Sequence, residues 1–71
     1  MEILKQFRHN DKEVRLLDDA EERLLLVLLI SHADKPRIVL SSSYALYRSA
    51  ENFYQSLAGS ITLIQLKEVM I

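Results

Sequence analysis

The stretch RLLLVLLISHAD, Arg23 to Asp34, sets seven large aliphatic residues in a row, Leu24 to Ile30, in a chain of only 71. A continuous apolar run fits a buried helix or a buried strand equally well, so periodicity alone does not decide it. Its flanks favour a helix. Asp18 and Asp19, followed three positions later by Glu21 and Glu22, match a helix start, where carboxylates accept orphan N–H groups and face the positive end of the dipole. Pro36 ends the segment by disfavouring helical geometry in the residue before it. The spacing therefore predicts a helix over Ala20 to about Ala33. The rival is a hairpin, with residues 23–31 as a buried strand turning at HADKP into the next one.

Outward from this run, MEILKQFRHNDKEVRLL reads as two extended segments around His9-Asn10-Asp11, because Asn and Asp tolerate the left-handed backbone of tight turns. RIVLSSS, from Arg37, reads as a strand on its β-branched residues. Over Ser43 to Ala58 the spacing is helical. Leu46, Ala50, Phe53 and Leu57 share a stripe edged by Tyr47 and Tyr54, opposite Arg48, Glu51, Asn52, Gln55 and Ser56. Ser43 suits the N-cap, and Gly59 suits a left-handed residue just past the end. SITLIQLKEVMI then predicts a strand over about Ile61 to Lys67. The expected fold is a small α+β domain, one sheet in β-β-α-β-α-β order with two helices packed on it, and Arg37 to Leu66 as a βαβ unit. If residues 23–31 form a strand, the order becomes ββββαβ.

The chain has one glycine, one proline, no cysteine and a net charge of −1. It makes one domain over residues 1–71 and buries only about 60% of the surface its unfolded form exposes. The missing cysteines remove disulfides and the commonest zinc ligand, and fit a reducing, cytoplasmic setting. The start lacks a signal-peptide pattern, and the apolar run is shorter than the roughly 20 residues a membrane span needs.

A helix apolar all round must be buried all round, yet a two-layer domain covers one side. Leaving Leu26, Val27 and Ile30 in water forgoes roughly 1.5–3 kcal/mol per side chain. The expectation is a homodimer or higher oligomer, with Leu26, Val27, Ile30, Tyr47 and Tyr54 at the interface. The competing expectation is that the N-terminal segment and Lys67 to Ile71 wrap over the second face.

No constellation for catalysis stands out, and no cofactor or metal is expected. His9 and His32 each precede an aspartate by two residues, a spacing at which helical neighbours do not face each other. Both read as exposed turn residues. Asp18, Asp19, Glu21 and Glu22 lack the spacing of a calcium loop. Ser41, Ser42 and Ser43, where a strand meets a helix, read as caps, with an anion site as the functional alternative. Arg8, Lys12, Arg15, Lys35 and Arg37, with Tyr44, Tyr47 and Tyr54, permit a nucleic-acid surface, but acids interleave with the bases. The sequence thus favours a non-enzymatic, oligomeric interaction module binding an unknown protein partner, ahead of a nucleic-acid-binding regulator and of an anion- or phospho-dependent binder.

Overall fold

The computed structural model describes residues 1–70, and their side chains through Leu63. Four strands, β1 (Glu2–His9), β2 (Lys12–Asp19), β3 (Leu24–Ser31) and β4 (Arg37–Tyr44), precede one helix, α1 (Tyr47–Met70). The strands form a single antiparallel sheet in sequence order, β1-β2-β3-β4. The α+β class and the single sheet are as expected. The β-β-α-β-α-β order is not, because there is one helix rather than two.

Residues 20–33 are the first correction. Leu24–Ser31 is a central strand, paired to β2 from Lys12↔Ser31 to Asp19↔Leu24 and to β4 on its other side. Leucine's helical propensity is a weak preference that strand pairing on both edges overrides. The acidic cluster serves a turn instead of a helix cap. The Glu22 N–H donates to Asp19 Oδ1 at 3.4 Å, and Arg23 turns the chain back with φ 56°. The first hairpin follows expectation, with His9 paired to Lys12 across Asn10, whose φ is 55°.

The second correction is the helix's extent. Ser43 pairs with Leu26 inside β4, so it caps nothing, and the helix starts at Tyr47 rather than Ser43. Leu46 lies before the helix and is 68% exposed. Gly59 does not terminate the helix. It has no positive φ, and α1 runs through it to Met70 in place of the expected strand over Ile61 to Lys67. Consequently no βαβ unit forms. Ala50, Tyr54, Leu57 and Ile61 recur at helical spacing, and Ile61, 4% exposed, joins the buried cluster. The stripe the sequence shows therefore continues past the glycine.

The core lies between α1 and one face of the sheet. Val14, Leu16 and Val27 are fully buried there, joined by Ala50, Tyr54 and Ile61, with Leu25, Leu29, Tyr44, Phe53 and Leu57 around them. Tyr44 and Phe53 stack obliquely, ring centroids 5.9 Å apart. A Lys5 Nζ–Glu51 Oε1 pair at 2.9 Å ties the helix's second turn to β1. That hydrogen bond raises the Lys5 ammonium pKa above its ordinary value. No described helix is long and apolar enough to cross a membrane.

Candidate functional site: the uncovered sheet face

Strand parity assigns every residue of β3 to a face. Leu25, Val27 and Leu29 point to the helix, opposite Tyr44, Leu16 and Val14 or their neighbours. Leu24, Leu26, Leu28 and Ile30 point the other way, where no described element covers the sheet; Leu24, Leu26 and Leu28 are half-buried there and Ile30 is 7% exposed. Leu17 of β2, paired to Leu26, and Ile38 of β4, paired to Ile30, extend the same surface, as does Ile3 of β1. An antiparallel sheet with one solvated face alternates apolar and polar residues. β2 does so in part, with Glu13, Arg15 and Asp19 facing outward. β3 does not, since its outward positions are all leucine or isoleucine.

The molecule is correspondingly thin. Its principal extents are 44 × 26 × 15 Å, the depth of one sheet and one helix. The radius of gyration is 12.8 Å, against about 11 Å for a compact domain of this length.

The expected interface residues divide accordingly. Leu26 and Ile30 lie on the uncovered face. Val27 is 0% exposed beneath α1, Tyr54 is in the core, and Tyr47 is exposed at the helix start. Helical grouping had put Leu26, Val27 and Ile30 together, and strand parity separates them. The expected wrapping by Lys67 to Ile71 concerns side chains outside the described residues.

One end of this face carries the only buried acid among the described residues. Glu13, 6% exposed, accepts from Arg15 Nε at 2.8 Å and Arg15 Nη2 at 3.2 Å, and lies 2.8 Å from His32 Nε2. An ionised carboxylate only accepts, so His32 Nε2 carries the proton in this contact. The Arg15 hydrogen bonds hold the Glu13 carboxyl below its ordinary pKa of 4.5, against the opposing effect of burial, with His32 adding to Arg15. His32 is thus not an exposed turn residue paired with Asp34. It is a largely buried clamp on Glu13, and its backbone N–H also donates to the Asp11 carbonyl at 2.6 Å. Sequence reasoning missed Glu13, because its partner is 19 residues away and only the β2–β3 register brings the two together.

Arg15, Leu28, Ile30, His32, Pro36, Arg37 and Ile38 line a shallow depression of about 420 Å³ beside this cluster. Both carboxylate oxygens of Glu13 are already engaged, Oε1 by His32 and Arg15 and Oε2 by Arg15, and the nearby Ser31 hydroxyl accepts from the Ala33 N–H at 3.5 Å. The arrangement locks the loop after β3 onto β2 rather than activating a nucleophile. Among the described residues, no group of three or more His, Cys, Asp or Glu is placed to hold a metal. Ser41, Ser42 and Ser43 sit within β4, away from the helix N-terminus on which an anion site there depends.

The antiparallel meander also sorts charge. The end holding the His9–Lys12 turn and the loop 32–36 gathers Arg8, Lys12, Arg15, Lys35 and Arg37 with fewer acids, Asp11, Glu13 and Asp34. The opposite end holds Glu2, Asp18, Asp19, Glu21 and Glu22 against Arg23, Arg48 and the Met1 amine. A net charge near zero therefore hides a molecule with a basic end and an acidic end. Comparison with protein families, curated proteins and solved structures finds no match to the chain.

Proposed function

We propose that this chain is a non-enzymatic, self-associating interaction module, whose uncovered sheet face packs against the same face of a second copy. The observation that carries this reading is β3, whose outward side is as apolar as its helix-facing side. Strands buried on both faces read as unbroken aliphatic runs. With one face under α1, the other calls for a second layer.

Size and charge support a second copy as that layer. Four strands of eight residues give a face of roughly 26 by 19 Å, at about 3.3 Å per residue and 4.8 Å per strand. Two such footprints come to about 1,000 Å², the threshold for a specific interface. A two-fold axis lying in the interface and crossing the strands sets the acidic end of each copy over the basic end of the other. Like charges then avoid one another and opposite ones approach. The helices end outermost, leaving their exposed sides for further partners.

The test is sedimentation equilibrium of the wild type and Leu26→Lys. The wild type is expected at a multiple of the 8.2 kDa chain mass, and the variant at half that multiple or less with an unchanged far-UV spectrum. A wild type at the chain mass over a hundredfold concentration range overturns the reading, as does a variant of unchanged mass.

The gathering of five basic side chains at one end favours nucleic-acid binding as the second reading. Lys12 and Arg15 are engaged by Asp11 and Glu13, which weakens it. Heparin retention that collapses with salt would support it, and flow-through at low salt would remove it.

A further inference from the structure

The two outer strands of the sheet are unlike each other. β1 carries Glu2, Lys5 and Arg8; both outer strands show a pairing shift, β1 between Ile3 and Lys5 and β4 between Leu40 and Ile38, so charge is what sets β1 apart. Charges and bulges on an edge are the devices that keep other strands from adding to it. β4 has no charge after Arg37. It continues IVLSSSY, with Ile38 59% and Val39 55% exposed. The helix lies chiefly over β2 and β3; Tyr44 packs against it, while Arg37 to Ser41 are exposed. An uncharged, exposed strand with one unpaired edge is a template for pairing.

We propose that β4 pairs antiparallel with β4 of a second copy, joining two four-stranded sheets into one of eight. The edge differs from the face discussed above, and the inference does not depend on that face being covered. Charge selects the occupant. Antiparallel pairing turns the second copy end for end about an axis normal to the sheet. Lys35 and Arg37 of each copy then come to the net-acidic end of the other, where Glu2, Asp18, Asp19, Glu21 and Glu22 outnumber Arg23, Arg48 and the Met1 amine. A parallel or unrelated strand gains no such match. The register follows from β4 itself. Its pairing to β3 shifts between Leu40 and Ile38, which leaves Leu40 to Tyr44 as the regular segment and puts the two-fold axis at Ser42. Leu40 then stands opposite the other copy's Tyr44, and Ser41 opposite its Ser43. Growth stops at two copies because the remaining edges are both β1. Combined with face-to-face packing, the edge closes a tetramer with three perpendicular two-fold axes.

The chain has no cysteine, so a single introduced thiol reports without background. Ser42→Cys places two thiols across the axis, within the range a disulfide spans. Phe7→Cys places one on the β1 edge, level with Leu40 and on the same side of the sheet as residue 42. Under mild oxidation in dilute solution, Ser42→Cys is expected to link into covalent dimers and Phe7→Cys to stay single. Ser42→Lys, which puts a charge on the bare edge, is expected to halve the wild-type mass. Linking should persist when Leu26→Lys is added, because that change removes only the face contact. If Ser42→Cys links while Leu26→Lys leaves the mass unchanged, the edge stands and the face reading falls. If Leu26→Lys lowers the mass while Ser42→Cys does not link and Ser42→Lys changes nothing, the edge is refuted and the face stands. Equal linking at residues 42 and 7 also refutes it, since it signals collision rather than pairing.

Discussion

Two adjacent residues, Leu26 and Val27, give opposite results if β3 is a strand and similar ones if the segment is a helix. Val27 is fully buried between the sheet and α1, against the core cluster of Leu16, Ala50 and Tyr54. Val27→Ala removes two carbons. Their transfer is worth about 1.6 kcal/mol at roughly 0.8 kcal/mol each, and the cavity left behind adds to it. The expected loss is about 2–3 kcal/mol, a large part of the stability of a domain this small. At about 4–8 °C per kcal/mol, the melting temperature falls by roughly 10–20 °C. That loss concerns contacts within one chain, so it should be the same at every protein concentration. Leu26 points to the opposite face. Leu26→Lys should leave the folded monomer close to its former stability, because the lysine stem lies along the sheet and its ammonium reaches water. Its effect falls on association, so the melting temperature loses the part of its concentration dependence that the face contact supplies. Thermal unfolding followed by circular dichroism at several concentrations distinguishes the two. On a helix, Leu26 and Val27 share an arc and should behave alike. If both variants lose the same stability, with the same concentration dependence, the strand assignment of faces is wrong.

Gly59→Ala should stabilise the chain by about 0.5–1 kcal/mol, since Gly59 is helical and an added Cβ meets nothing within 4 Å. A destabilised variant on urea unfolding would return Gly59 to the left-handed helix end its sequence context suggests. Arg23→Gly should stabilise by up to about 1 kcal/mol by relieving a φ of 56°, and a clear loss of stability would contradict that turn. Glu13→Ala should cost about 1–3 kcal/mol at neutral pH by leaving Arg15 and His32 without their shared acceptor. The Glu13 pKa is depressed in the fold, so its contribution is complete above the unfolded value near 4.5 and fades as pH falls through the folded one. Wild type and variant should therefore converge in stability on acidification below pH 4.5, and a gap that widens there would refute the ion-pair account.

The first hairpin was legible because Asn10 and Asp11 are turn residues between two short strand patterns. The helix over the Phe53 region was legible because its apolar and polar positions separate cleanly. Other elements were hidden for physical reasons. Residues 24–30 have no polar position to reveal a period, and the acids before them serve a turn as well as a helix start. Gly59 marks a helix end by propensity, but Ile61 still falls on the buried stripe, and packing carries the helix through. Ile61, Thr62 and Ile64 raise strand propensity, which tertiary context overrides. Leu26 and Ile30 were singled out from their surplus of apolar surface. Val27 was grouped with them only because helical geometry was assumed, and Tyr54, at the edge of the apolar stripe of the true helix, packs inward instead. The Glu13–His32 contact depends on the β2–β3 register, which no local pattern contains.

The central claim is that the outward side of β3 is buried against a second copy. An isotope-filtered nuclear Overhauser experiment tests it directly, on a mixture of methyl-labelled and unlabelled chains. Cross-copy signals are predicted for the methyls of Leu24, Leu26, Leu28 and Ile30 and none for Val27 or Leu29. Signals confined to Val27 and Leu29, or no cross-copy signal at any concentration, would contradict the account.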